Sequence, residues 1–386
     1  MGYDFTLDDV TYLTSPTGRA ALAEIGRLPL TSASYLSDVA SARSAFGDRS
    51  APLLETVLLR RKAVSKLDCA EWLFTDAALQ QSTPSVVAAH RARRFVGRDV
   101  HDVTCSIGVD LAVVARVAAR CVGSDLDPVR LAMARSNVPD VPVLRADALA
   151  PVSRETAVLA DPGRRDSSGR RRWRPSDFAP PLDSLASTYA GRDMAVKCAP
   201  GIDFADVPWA DEVEVVSLDG AVKEACLWTG SLASGVHRRA TVLRDGTEWT
   251  LTDIDDDTCP VTPVDEWIID PDGAVVRAGL VRQYAARHGL GQLDERIAYL
   301  TGPRPPAGVR AFRVLEHGKY SEKALRTTLS RLSVGRLEIL VRGLDVDPNA
   351  LRPRLKLRGS AEASVVLTRI GRGPVAIICQ AGRISD

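Results

Sequence analysis

Apolar side chains recur at close to 3.6-residue intervals in Ala20 to Ile25, Leu53 to Leu67 and Ser85 to Phe95. That spacing predicts amphipathic helices, broken at Pro16, Pro29, Pro52 and Pro84, with Ser85 placed to cap the last of them. From about residue 98 the period changes. Short apolar runs at Asp99 to Thr104, Cys121 to Ser124, Val141 to Leu144, Ala157 to Ala160, Met194 to Cys198 and Val213 to Ser217 predict strands. Helices are expected between the first of them, at Leu111 to Arg120 and Pro128 to Asn137. This β-α-β rhythm implies a mostly parallel sheet covered by helices, an α/β fold. Ala240 to Leu251 predicts a hairpin turned at Asp245-Gly246, and Asp253 to Asp257 an acidic loop.

Gly302-Pro303-Arg304-Pro305-Pro306 reads as a boundary. Beyond it the pattern gives a strand (Val309 to Leu315), a helix (Ser321 to Leu332), a strand (Leu337 to Val341), a short helix (Pro348 to Leu351) and two strands (Val365 to Arg369, Val375 to Cys379). The expected organisation is a helical domain 1–95, an α/β domain 96–238, an acidic connector with a hairpin 239–303, and an α+β module 304–386.

Composition adds three constraints. With 386 residues, 45% hydrophobic and 26% charged, the chain can build two or three cores, and disorder throughout is excluded. Its net charge of +1 conceals a gradient. Residues 241–303 carry five basic and twelve acidic side chains, whereas 304–386 carry sixteen and seven, so a basic module follows an acidic stretch. Only seven of the 50 basic residues are Lys, an Arg bias that a GC-rich genome produces as readily as nucleic-acid binding does. No apolar run is long enough to span a bilayer, and Asp4, Asp8 and Asp9 stand where a secretory leader would be basic and then apolar. The seven cysteines are scattered, odd in number and never in C-x-x-C. A disulfide scaffold or metal site is therefore not expected, and a reducing cytoplasm is.

The sharpest chemistry lies at four strand ends. Asp102-Val103-Thr104-Cys105-Ser106-Ile107-Gly108-Val109-Asp110 places a tight turn between a strand and a helix. Gly123-Ser124-Asp125 ends the second strand with a carboxylate able to accept from both hydroxyls of a ribose. Asp147, after the third strand, can accept from an adenine amino group. Asp161-Pro162-Gly163 follows the fourth. Ligands of open α/β sheets bind at such carboxyl ends. A dinucleotide dehydrogenase is the competing reading. It would want three glycines under a pyrophosphate and would not predict Asp147 or Asp161-Pro162.

The ordered set Gly108, Asp125, Asp147 and Asp161-Pro162 resembles the class I S-adenosylmethionine-dependent methyltransferases, with Ser106 in place of an expected glycine. The resemblance implies a Rossmann-like methyltransferase sheet and S-adenosyl-L-methionine as cofactor. By it, Asp102 orients the turn and the methionine amine, and Gly108 lets the backbone approach the cofactor, since glycine lacks the blocking Cβ. Asp110 is open between an acid near the ligand and a first-turn partner of the helix dipole.

Three further features narrow the match: Leu73-Phe74-Thr75-Asp76-Ala77-Ala78-Leu79-Gln80-Gln81-Ser82-Thr83-Pro84; Asp161-Pro162-Gly163-Arg164-Arg165 with Pro180-Pro181-Leu182; and, in the tail, Arg342-Gly343-Leu344-Asp345-Val346-Asp347-Pro348 with Leu355-Lys356-Leu357-Arg358-Gly359. Together they are similar to bacterial methyltransferases that end in a THUMP-like domain, and the likeness covers nearly the whole chain. It implies a C-terminal α+β THUMP-like module, with RNA as the partner by analogy. Gln81 and Thr83 become candidates for covering the cofactor, with a capping role as the alternative.

On the substrate side, Asp161 is the candidate that holds or polarises the methyl acceptor. The ring that stacks on a target base in amino-group methyltransferases is missing after Pro162, and Trp173 is its candidate replacement. Arg164, Arg165, Arg170, Arg171 and Arg172 are candidates for phosphate contact, against an ordinary solvated loop. In the tail, Arg352, Arg354, Lys356 and Arg358 would share one face and form a basic stripe if that stretch is extended. Cys198 is either a covalent nucleophile whose thiol Lys197 activates or a small buried side chain at a strand end. Asp219-Gly220 with Lys223-Glu224 reads as a turn and helix start, and His237, His288 and His317 as structural or surface residues. The expected function is methyl transfer from S-adenosylmethionine to RNA, tRNA first. The alternatives are a small-molecule or protein methyltransferase, or a non-enzymatic RNA-binding protein with a degenerate cofactor site. The sequence leaves the oligomeric state open.

Overall fold

Pro16 opens a helix instead of breaking one. In the computed structural model of the protein, which describes residues 2–69, 71–163 and 174–384, Ser15 caps that helix by accepting from the Gly18 amide. Proline then occupies the first turn, where its missing N–H costs no hydrogen bond. The chain divides into two compact units, Met1–Val213 with Lys223–Gly235, and Glu214–Val222 with Val236–Asp386.

The first unit begins with α1 (Leu7–Thr14), α2 (Pro16–Ile25), α3 (Tyr35–Phe46), α4 (Ser50–Ala63), α5 (Asp76–Gln81) and α6 (Ser85–Ala92). Periodicity predicts α2, α4 and α6 and misses the other three. Helix α1 is set by a reciprocal cap between Thr6 and Asp9, and α3 buries only Asp38 and Ala42, too little to leave an apolar stripe. Pro52 sits within the first turn of α4, not before it. Ser85 does not cap α6; Pro84 precedes that helix, and the Ser85 hydroxyl accepts from the Asp68 amide at 3.0 Å.

The α/β part follows: β1 (Asp99–Asp102), α7 (Val109–Ala115), β2 (Arg120–Asp125), α8 (Pro128–Asn137), β3 (Val143–Arg145), β4 (Ala157–Ala160), α9 (Leu182–Thr188) and β5 (Met194–Cys198). Strand β6 (Glu212–Leu218) carries the chain into the second unit and β7 (Ala221–Thr229) returns it. In the first unit the strands run in the order β3-β2-β1-β4-β5-β7. The first five are parallel, and β7 lies antiparallel to β5. Every residue of β4 and β5 is buried, as expected for central strands covered on both faces. Lys223 and Glu224 lie in strand β7, not at a helix start. The apolar pattern there could not reveal a strand that carries a buried charge.

Phe95, Val100, Leu159, Ala195 and Trp228 share one core cluster of this sheet. The N-terminal helices share another with Ile107, Val109 and Met133. Asn137, at the end of α8, joins the two parts. Its amide oxygen accepts from Leu73 N at 2.8 Å, and its Nδ2 donates to the carbonyls of Leu73 (3.0 Å) and Ile107 (2.9 Å).

The second unit contains the hairpin β8 (Arg238–Arg244) and β9 (Thr247–Thr252), turned at Asp245-Gly246 with both residues at positive φ. It continues through β10 (Trp267–Asp270), α10 (Gly273–Ala278), α11 (Val281–His288), β11 (Gly291–Asp294), β12 (Ile297–Gly302), β13 (Arg310–Lys319), α12 (Glu322–Arg331), β14 (Val334–Arg342), α13 (Pro348–Arg354), β15 (Ala361–Ile370), β16 (Gly373–Gln380) and β17 (Arg383–Ile384). The sheet order is β11-β12-β10-β13-β16-β15-β14, with β17 paired to β13. Residues 239–303 are therefore not a free-standing connector: β10 pairs directly with β13, across the boundary expected near Pro303. Among the described residues no helix is long and apolar enough to cross a membrane.

Candidate active site

The turn after β1 keeps a glycine-like backbone without the first glycine. Ser106 stands at φ +49° and Gly108 at φ +93°, both in the left-handed region. Ser106 is held there by its amide, which donates to Asp125 Oδ2 at 2.9 Å, while the Asp127 amide donates to Asp125 Oδ1 at 2.9 Å. Both oxygens of Asp125 are thus anchored, and each keeps a lone pair for a further donor. The Thr104 hydroxyl accepts from the Asp161 amide at 2.6 Å, tying the ends of β1 and β4 together. Gly108 also has a packing role that the sequence did not show. A Cβ there would lie 2.8 Å from Val138 Cγ2, so glycine is required for packing on α8 and for its φ, and Gly108 does not line the cleft below.

That cleft, of about 470 Å³, opens at the carboxyl ends of β1 to β4. Its lining includes Asp102, Ser106, Asp110, Asp125, Asp147 and Asp161, along with Gln81 and Ser82 from the end of α5. Asp147 is exposed and its Oδ1 accepts from the Leu149 amide at 2.9 Å. Asp102 is 2% exposed and its Oδ1 accepts from the Thr104 amide at 3.2 Å. Burial, with Asp110 nearby, pushes its carboxyl well above the usual range. Thr83 is buried outside the cleft lining; its hydroxyl donates to Glu224 Oε2 at 3.2 Å, a structural contact.

The opposite wall is Phe178, Ala179, Pro180 and Pro181. Gly163 and Ala179 exchange two backbone hydrogen bonds, at 2.8 and 3.0 Å, which bring Pro180-Pro181 beside Asp161-Pro162. Phe178, unremarked in the sequence, supplies an aromatic side chain there. Arg164, Arg165, Arg170, Arg171, Arg172 and Trp173 lie outside the described residues.

Under the cleft runs a buried chain of charges. Lys197 Nζ donates to Asp161 Oδ2 at 2.6 Å and to Asp110 Oδ2 at 2.7 Å. Arg91 pairs with the other oxygen of Asp110 and with Glu224 Oε1. Burial alone would raise the Asp110 carboxyl, but Arg91 and Lys197 outweigh it and hold it below the usual range. Burial would likewise lower Lys197, and Asp110 and Asp161 reverse that, so the ammonium stays charged. Asp110 lies in the first turn of α7 and also lines the cleft. Arg91, Glu224 and the pairing of Lys197 escaped the sequence reading. Of these only Lys197 carried a local signal, a lone charge inside the otherwise apolar strand Met194 to Cys198.

Lys197 is thus committed to carboxylates, not to Cys198. The two are successive in β5 and point to opposite faces, and Cys198 is 2% exposed and absent from the cleft lining. Arg354, Lys356 and Arg358 belong to the second unit and form no extended stripe. Arg354 ends α13 and pairs with Glu322 at 3.5 Å, Lys356 turns the chain at φ +50°, and Arg358 follows in a loop. Asp347 caps α13 and Pro348 starts it, as the short helix expected at Pro348 to Leu351 requires, but the helix runs on to Arg354, so the first part of the stretch is not extended. Lys356 and Arg358 instead line a groove with Arg326, Ser330 and Arg331 of α12.

Residues 309–381 match the THUMP domain-like family, and residues 6–63 match a domain of unknown function. Over 360 residues, 88% of this chain and the full length of the relatives, the sequence is 53% identical to uncharacterised S-adenosylmethionine-dependent methyltransferases of two Mycobacterium tuberculosis strains, CDC 1551 / Oshkosh and ATCC 25618 / H37Rv. The fold is that of a crystal structure from Porphyromonas gingivalis W83 described as a methyltransferase, with a TM-score of 0.73 at 20% identity, covering 98% of this chain and 99% of that one.

Proposed function

We propose that this chain, which belongs to the S-adenosylmethionine-dependent methyltransferases, methylates RNA, with tRNA the first substrate to test. The observation that carries the choice of RNA is the groove on the THUMP-like part. Arg326, Arg331, Lys356 and Arg358 line it together with the hydroxyls of Ser330 and Ser333. Cations interleaved with small hydroxyl donors suit a phosphodiester backbone.

The cleft residues fit the cofactor's chemistry. Asp125, with both oxygens already oriented by backbone amides, would accept from the ribose hydroxyls, and Asp147 from the adenine amino group. A cleft of about 470 Å³ is of the size that encloses such ligands. Gln81 and Ser82 would close over it, and Asp102 would orient the turn through Thr104. The bound cofactor supplies a methyl group on a sulfonium, already a good leaving group. What remains for this chain is positioning. Asp161 would receive the acceptor, and Phe178, Pro180 and Pro181 would keep water from that wall.

Labelled methyl transfer to RNA from a strain lacking this protein, followed by nucleoside analysis, tests the reading. Label in a tRNA nucleoside is expected. Label confined to protein or small molecules refutes it. RNA affinity should also fall steeply as salt rises, and a flat response would count against phosphate contact.

A further inference from the structure

Lys197 interrupts a strand that is otherwise Met194, Ala195, Val196 and Cys198, and its side chain is 5% exposed. A buried ammonium is costly unless it is paired, and a pair that served stability alone could be replaced by hydrocarbon at little loss. This cation does more than neutralise a neighbour. It stands between Asp110, which Arg91 also holds, and Asp161, whose side chain lines the cleft and is 31% exposed against 12% for Asp110. Lys197 takes Asp161 Oδ2, and the Thr104 hydroxyl takes the Asp161 amide. Among the described residues Oδ1 of Asp161 has no hydrogen-bond partner, so one oriented acceptor is left at the cleft wall.

Resting on the reading that the methyl acceptor approaches Asp161, we propose that Lys197 is a positioning residue that fixes Asp161 as a pure hydrogen-bond acceptor, so that the acceptor is a base nitrogen arriving with its own proton. A carboxylate paired with an ammonium accepts and does not donate. The nitrogen lone pair forms the N–C bond as the C–S bond breaks, and the bonding pair stays on sulfur. The nitrogen is left with a positive charge and a surplus proton, which passes along the hydrogen bond to Asp161 and on to water. A ring-carbon acceptor would need a thiolate nucleophile. Cys198 faces away from Lys197 and does not line the cleft, and burial keeps Cys105, which does, as a thiol. A ribose hydroxyl would need a base to take its proton before attack, and among the described residues no histidine or lysine side chain lines the cleft.

The test uses the full chain, labelled S-adenosylmethionine and RNA from a strain lacking the protein, with Lys197→Met, Asp161→Asn and the double variant. The parent should place its label on a base nitrogen. Each single variant should lower kcat about 100-fold, the usual cost of losing alignment at the reacting atom, with KM for RNA and the calorimetric affinity for S-adenosylmethionine within about threefold. The double variant should be no slower than the slower single one, because both changes remove the same oriented acceptor. Lys197→Arg keeps the charge and shifts the donor; a kcat loss of about tenfold at unchanged cofactor affinity is expected, and this variant carries the test should Lys197→Met not fold. Label in RNA with kcat unimpaired by Lys197→Met, losses that multiply in the double variant, or label on a ribose oxygen or ring carbon overturns the proposal alone. No label in RNA from the parent overturns it together with the reading beneath it.

Discussion

The backbone amide of Ser106 donates to Asp125 Oδ2 at 2.9 Å, so the carboxylate that closes β2 also shapes the turn after β1. One side chain thereby sets both the expected ribose contact and the loop beside it. Asp125→Ala should weaken S-adenosylmethionine binding at least 100-fold by calorimetry, about 3 kcal/mol, in the range for losing hydrogen bonds to a charged group. Affinity unchanged from the parent would refute the ribose assignment.

Gly108 is costly to replace for a local reason. Alanine there meets Val138 Cγ2 at 2.8 Å and must adopt φ +93°. Gly108→Ala should cost about 2–3 kcal/mol in urea unfolding. Adding Val138→Ala removes the clash and not the dihedral cost, so about 1 kcal/mol of the Gly108→Ala penalty should persist when the pair is compared with Val138→Ala alone. A Gly108→Ala protein as stable as the parent would contradict this geometry.

Arg91 is 2% exposed between Asp110 and Glu224. Arg91→Met strands Glu224 without a cation and should destabilise the protein by about 3–5 kcal/mol. Arg91→Met with Glu224→Leu should be less destabilised than Arg91→Met, since Asp110 keeps Lys197 and no lone buried anion is left. Equilibrium denaturation of the three proteins decides it; a double variant weaker than the single would show that packing, not charge, governs the site.

His101 is 1% exposed, bonded through its ring nitrogens to Ser124 at 2.9 Å and Ser153 at 2.8 Å, and burial pushes its pKa from 6.5 down to about 4. Below pH 6.5 the unfolded chain takes up this proton and the folded one does not. The contribution is therefore full above pH 6.5 and is lost as the pH falls toward about 4, on the order of 3 kcal/mol in all. His101→Gln should flatten the unfolding midpoint against pH in that window relative to the parent. Parallel curves would mean that the ring titrates normally.

Arg326, Lys356 and Arg358 are exposed around one groove. Changing all three to Glu should lower RNA affinity more than tenfold and reduce the salt slope of log K by about 2 to 3. A slope equal to the parent's would place the RNA elsewhere.

Much of this was legible beforehand. The spans of α8, β4 and β5 follow directly from periodicity and flanking turns, and Asp125, Asp147 and Asp161 do meet around one cleft. Short helices held by caps, such as α1, leave little apolar period to read. The tail stripe failed because the helix expected to end at Leu351 runs on to Arg354 and the chain then turns at Lys356. Arg91 and Glu224 are 133 positions apart, and pairing over such a separation is set by tertiary packing, which no local pattern records.

The bridge between Gly163 and Ala179 is built from main-chain groups alone, each residue's N–H meeting the other's carbonyl. A substitution at either position therefore leaves the rung's hydrogen bonds in place, and the wall that carries Asp161 stays tied to the wall that carries Phe178 by backbone rather than by side chains.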